Sequence, residues 1–173
     1  MADKDAAYWV KALDLGAHPE GGWFRETYRS VDRVAAGEAA WSGSGSGSGG
    51  ERAASTAIYY LLEGAQFSAF HRIRSDEAWH FYAGSSLILH ELHESGTLVE
   101  TRLGGDPEFG ESFQAVVPAG RWFAATVANP RGFALVGCTV APGFDFRDFE
   151  LASRDELIAR FPQHADVIRR LTR

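Results

Sequence analysis

The chain has a single cysteine, Cys138, so no disulfide can form within it. No run of about 18 apolar residues occurs, which excludes a transmembrane helix. The N-terminus, MADKDAAYWVKALDL, mixes charged and apolar residues and lacks the apolar core of a signal peptide. Basic clusters are missing too. With a net charge of −6 and no basic patch, neither nucleic acid nor an anionic membrane is an expected partner. The nucleophile elbow, the phosphate loop and the dinucleotide fingerprint are all absent. Cys138 lies in an apolar run, ALVGCTVA, with no adjacent base, which suits a buried small hydrophobe better than a nucleophile. These absences lead to the expectation of a cytoplasmic protein.

What is present points to strands. The 173 residues suit one domain with a substantial core. Short apolar runs recur between turn signals at Trp23–Arg29, Ser55–Leu62, Phe67–Ile73, Ala78–Tyr82, Ser86–Leu92, Thr97–Leu103, Phe113–Val117, Trp122–Val127 and Phe133–Val140. Strands this short and this closely spaced predict an all-β sandwich or barrel rather than βαβ units. Helices are expected only at the ends. Asp3–Leu15 has an amphipathic pattern stopped by Gly16, and Ser153-Arg154-Asp155-Glu156 fits a capping box ahead of Leu157, Ile158 and Phe161. Pro162 breaks that helix, and His164–Leu171 reads as a second one. His18-Pro19-Glu20-Gly21-Gly22 reads as a turn. Ser42–Gly50, SGSGSGSGG, is low-complexity and is expected to form a flexible loop inside the single domain.

The stretch Phe67–Gly84, FSAFHRIRSDEAWHFYAG, concentrates the chemistry. His71, Glu77 and Gly84 follow the spacing H-x5-E-x6-G, and Pro118-Ala119-Gly120 supplies a later P-x-G turn. This pattern resembles the cupin superfamily, whose first motif is G-x5-H-x-H-x3–4-E-x6-G and whose second is G-x5-P-x-G-x2-H-x3-N. With HPEGGWFRETYRS, TAIYYLL, VVPAGRWFAA and CTVAPGFDFRDFEL added, the chain is similar to the cupin-5 family of small proteins. That resemblance implies a double-stranded β-helix, or jelly-roll barrel, with short terminal helices. It also implies a fold like that of the deoxysugar-nucleotide epimerases, and a homodimer. The second histidine of the first motif is replaced by Ile73 and the histidine of the second by Phe123. Only His71 and Glu77 of the usual four metal ligands remain, fewer than a first-row transition metal needs from the protein. No cofactor is therefore assigned, and a divalent metal held by His71 and Glu77 stands only as an alternative.

Strand parity places Ile73, Trp79 and Phe81 on the faces of His71 and Glu77, an aromatic cup with a few polar groups. His71 is the expected acid/base and Glu77 its relay or orienting partner. Glu77 is expected to be raised in pKa by burial, or held ionised by His71, or paired with Arg72 or Arg74 at the turn. Trp79 and Trp122 are expected as stacking walls, with Tyr59 and Phe123 as further lining. His80 would join only if a bulge turned it inward. Arg25 is expected to clamp an anionic group of the ligand, and Asp145 or Asp148 to orient a histidine. His90 and His93 lie on opposite strand faces and do not read as a metal pair. The reading that follows is acid/base chemistry of epimerase or isomerase type on a small polar metabolite or sugar nucleotide. A metal-dependent oxygenase or lyase and a non-catalytic binding cup are the alternatives.

Overall fold

The computed structural model describes residues 4–36 and 50–173. The Ser/Gly tract at 42–49 lies outside the described residues, as does Asp3. Helix α1 (Ala6–Ala12) begins where Asp5 Oδ1 accepts the Tyr8 N–H at 2.8 Å. It ends before Asp14, which takes a left-handed φ of 52°. Strands β1 (Gly16–Ala17), β2 (Trp23–Arg29), β3 (Arg33–Ala36), β4 (Gly50–Ala53), β5 (Thr56–Glu63), β6 (Phe67–Ile73) and β7 (Asp76–Gly84) follow. Then come β8 (Leu87–Leu92), β9 (Leu98–Leu103), β10 (Gln114–Val117), β11 (Trp122–Val127), β12 (Phe133–Ala141) and β13 (Phe149–Leu151). Helices α2 (Arg154–Arg160) and α3 (Ala165–Arg170) close the chain. Ser153 does occupy the N-cap of α2, but its side chain makes no capping hydrogen bond. That part of the expected capping box is corrected.

Two antiparallel sheets face each other. One runs β1-β2-β5-β12-β7-β10 and the other β13-β6-β11-β8-β9, with β3 and β4 forming a separate hairpin. This is the all-β jelly-roll architecture expected from the sequence. Their inner faces share a core of Tyr60, Leu62, Trp79, Leu87, Leu89, Leu103, Phe123 and Val136. The outer face of the five-stranded sheet is covered by the C-terminal helices, which pack Leu157, Phe161, Ile168 and Leu171 against Phe70, Leu92, Trp122 and Ala124. Helix α1 covers part of the other outer face, around Leu61 and Leu135.

Register fixes which side chains enter the barrel. Ile58 of β5, Cys138 of β12 and Trp79 of β7 form one cross-strand row, and Thr56, Val140 and Glu77 form the next. Residues one step away face the opposite side, because side chains alternate along a strand. Arg25, Tyr59, Gly137, His80 and Gln114 make up that outward row.

Candidate active site

The inward rows stop short of filling one end of the barrel. The space left for the centres of water-sized spheres is about 40 Å³, inside about 470 Å³ of empty space counted out to the mouth. At about 10–15 Å³ per water, the deep part holds roughly three waters. Two histidines and two glutamates line it: His18, Glu20, His71 and Glu77. Phe24, Ile73, Trp79 and Phe144 form apolar walls, and the Cys138 thiol lies among them.

Glu20 arrives on the turn before β2. Gly21 and Gly22 take φ of 117° and 77°, values that L side chains rarely adopt. A Cβ on Gly22 would stand 2.6 Å from the Leu61 carbonyl oxygen. The glycine pair thus lets the turn press on the barrel rim. Three contacts hold it there: the Tyr60 hydroxyl donates to the Gly21 carbonyl at 2.6 Å, the Ala69 N–H donates to the Glu20 carbonyl at 3.0 Å, and Ser68 Oγ donates to Glu20 Oε1 at 2.7 Å. Glu20 is only 5% exposed, so its carboxyl needs these partners.

His71 sits opposite on β6, buried and packed 4.1 Å, centroid to centroid, from the Phe123 ring. Its Nδ1 lies 2.8 Å from the Ala69 carbonyl oxygen, which can only accept, so Nδ1 carries hydrogen. Its Nε2 lies 3.1 Å from Glu20 Oε2. One proton must therefore lie between Nε2 and Oε2, as imidazolium with carboxylate or as imidazole with carboxylic acid. In either form the pair is neutral overall. His18 stands 3.7 Å from the same oxygen and accepts the Glu20 N–H at Nδ1, 3.3 Å away. Burial lowers its pKa, Glu20 opposes that, and the charge on His71 adds to it, so His18 is neutral at neutral pH.

Glu77 is the contrasting group. It is 7% exposed, and its Oε2 has no hydrogen-bond partner. Burial first, and then the charge of Glu20, push its pKa up to about 8, while Cys138 and Trp79 pull it back only weakly. At neutral pH it is a carboxylic acid with a proton to give. The same burial drives the Cys138 thiol well up, so it remains a thiol and not a nucleophile.

The structure brings together His71, Ile73, Glu77 and Trp79 as expected, and it separates the remainder. Phe123 lies beneath His71 in the core rather than on the cavity wall. Phe81 faces inward but packs nearer the closed end of the barrel. Arg25 is exposed on the outer face, its guanidinium 6.0 Å above the Tyr59 ring. It cannot clamp a ligand in the cup, and Tyr59 stacks edgewise on Tyr82 instead of lining the cup. His80 also faces out, bonded to Thr139 Oγ1 at 3.1 Å and to Gln114 Nε2 at 3.0 Å. The bulge between β12 and β7 falls at Leu135/Val136, past the His80 pair, and leaves it there. Trp122 faces the C-terminal helices, with the Arg72 guanidinium 4.5 Å from its ring. Glu77 pairs with neither arginine of the turn: Arg72 binds Glu150, and Arg74 lies near Asp148. Asp148 binds Arg52 and Asp145 binds Arg147, so neither orients a histidine. That role falls to Glu20. Sequence reasoning treats Glu20 and His18 only as turn residues. The signal that could find them is a His and a Glu beside consecutive glycines, where the backbone is free to make a close approach.

A metal centre of the kind cupin folds carry does not fit these residues. Both His71 nitrogens are engaged, Ile73 and Phe123 offer no donor, and no group of three or more ligating side chains is arranged for a metal among the described residues. Nor is any described helix long and apolar enough to cross a membrane.

Known proteins resemble this chain in sequence and fold. The protein YML079W of Saccharomyces cerevisiae, described as uncharacterized, is 32% identical over 153 residues, 86% of this chain and 76% of that protein. The crystal structure of protein SO0799 from Shewanella oneidensis superposes with a TM-score of 0.83 at 40% identity, covering 98% of both chains. A hypothetical protein from Leishmania major gives 0.85 at 34% identity, over 97% of this chain and 98% of that one. At 13% identity, one domain-sized part of oxalate decarboxylase from Bacillus subtilis still matches with a TM-score of 0.55, over 92% of this chain and 37% of that one, a likeness of fold alone. The profile of Cupin_5, the family described as Cupin superfamily (DUF985), matches residues 7–152, and the chain belongs to that family.

Proposed function

We propose that the cup binds a small polar carbonyl compound and moves protons on it, as an epimerase or isomerase does. The observation that carries this reading is the pairing of unlike groups in one cavity. Glu77 is a buried acid with a free Oε2, and His71 with Glu20 shares a mobile proton across from it. Titratable groups whose surroundings push them to different protonation states are what acid/base catalysis needs. In this reading Glu77 donates to the carbonyl oxygen as negative charge develops there. The Glu20–His71 pair, in its carboxylate form, takes the proton from the adjacent carbon. His18, held neutral and accepting at Nδ1, donates a hydrogen bond from Nε2 at the rim.

Size narrows the substrate. The deep cup takes a group of a few heavy atoms. The reacting part of the substrate therefore enters while anything larger stays at the mouth. Walls of Phe24, Trp79 and Phe144 exclude water from the reacting bond.

The test is solvent exchange. Small aldehydes, ketones and keto-acids incubated with the protein in deuterated water are followed by proton NMR. The reading expects loss of the signal from the hydrogen next to the carbonyl for at least one of them. Glu77→Gln and Glu20→Gln should each slow that loss by about 10²–10⁴-fold, the usual weight of a positioned acid or base. Exchange that continues at the same rate in both variants overturns it.

A further inference from the structure

Arg74 stands at the tip of the β6–β7 hairpin, one residue beyond Ile73 of the cup wall. Its side chain is only 9% exposed, and neither Nη1 nor Nη2 has a hydrogen-bond partner. The nearest carboxylate is already taken. Asp148 Oδ2 accepts from Arg52 Nε at 2.6 Å and Oδ1 accepts from Arg52 Nη2 at 2.9 Å, a two-pronged pair that uses both oxygens. Arg74 Nη1 is left 3.7 Å from Oδ1, near enough to feel the charge and too far to bond.

Arg52 and Arg74 share Asp148. Arg147 is matched by Asp145 at 2.6 Å, and Arg29 by Glu26 at 2.6 Å. These groups sense one another, since Asp145 acts on both Arg29 and Arg52, and Arg147 acts on Arg52. Asp76, beside Arg74 in sequence, spends its Oδ1 on the Ala119 N–H at 2.8 Å. Among these guanidiniums Arg74 is the one whose two Nη atoms are both buried without a hydrogen-bond acceptor. A buried cation without an acceptor is costly to the fold. A buried water could satisfy its N–H groups but would leave the charge in place.

The geometry points to an anion-binding site at Arg74, with Arg52 as its second positive group, for a carboxylate or phosphate group. Asp148 belongs to the strap that carries Phe146 and Phe149, and these rings approach His18 to 6.3 Å and His71 to 5.3 Å. The site therefore adjoins the cup. Its place on a hairpin tip lets the Arg74 fork turn toward a ligand without moving the sheet. The anion is either the charged end of the molecule whose carbonyl enters the cup or a free oxyanion. The site itself does not depend on the proton chemistry of the cup.

Binding of inorganic phosphate and of acetate, measured by titration calorimetry with no turnover involved, tests this. The intact protein should bind at least one of them, Arg74→Gln about tenfold more weakly or not at all, and Arg25→Ala as well as the intact protein. Arg74→Lys keeps the charge without the fork. It should fall between them, and it keeps the test usable if Arg74→Gln does not fold. Equal binding by the intact protein and Arg74→Gln, no binding of either anion by the intact protein, or equal losses in Arg25→Ala and Arg74→Gln would overturn the site. The source of the anion is then read from the exchange assay. Competitive inhibition by phosphate, with KM raised and kcat kept in Arg74→Gln, identifies the substrate's own charged end. Phosphate binding without inhibition identifies a free oxyanion.

Discussion

The two ends of the barrel interior are built from the same strands and could hardly differ more. At the closed end, Leu87, Leu89, Leu103 and Ala134 are fully buried in one apolar cluster. At the mouth, burial is just as deep at His71 and Glu77, but the groups are polar and one of them is unpaired. Packing like that of the closed end stabilises a fold, whereas a buried carboxyl with a free oxygen detracts from it. Proteins keep such groups where chemistry needs them.

Breaking the closed end should have the largest effect. Leu89→Ala removes a side chain with 0% exposure from a packed layer and should lower stability by about 2–5 kcal/mol in chemical denaturation, with proton exchange per folded molecule unchanged. A loss below about 1 kcal/mol would mean that the closed end is not the anchor described.

At the mouth, Glu77→Gln should act in the opposite sense, and with a pH signature. In the folded protein Glu77 titrates at about 8, against an ordinary 4.5 when unfolded. Between these values the folded state holds the extra proton, so the contribution of Glu77 to stability is fullest below about 4.5 and is lost as pH rises through about 8. Glutamine cannot ionise. Denaturation midpoints should therefore show Glu77→Gln gaining on the natural protein steadily across that window and no further above it. Parallel stability curves would show that Glu77 is not the protonated acid.

The smallest effect belongs to the outer face. Arg25→Ala should change stability by no more than about 0.5 kcal/mol and leave solvent exchange in the cup intact, because its guanidinium is exposed on the outer face over Tyr59. Loss of exchange in this variant would return Arg25 to the site.

Parity explains why the outer face is hard to read from sequence. Alternation along Trp23–Arg29 shows that Phe24 and Arg25 face opposite ways, but not which of them faces in. Adjacent residues such as Trp79 and His80, or Trp122 and Phe123, cannot both line one cup. The apolar partner of each pair in the two-sheet core is the one found inside. The exception is Trp122, an apolar residue drawn to the other face by the C-terminal helices. Sequence pattern places the anion clamp on a strand, at Arg25. The guanidinium whose Nη atoms lack an acceptor is on a hairpin turn, at Arg74, where no periodicity points.

The sequence by itself determined most of the strands and an all-β sandwich or barrel, because period-two alternation and turn chemistry are local properties, and the cupin-like motif residues implied the jelly-roll. Parity put Ile73 on the face of His71 and Trp79 on that of Glu77, and the cupin resemblance implied that both faces turn into one cup. Only the tertiary structure decided that Glu20, 51 positions before His71, completes the proton-sharing pair, that His18 stands beside it, and that Glu77 Oε2 is left without a hydrogen-bond partner. Those facts depend on contacts between segments distant in sequence and on how much water each carboxyl loses, and neither is written in any local pattern.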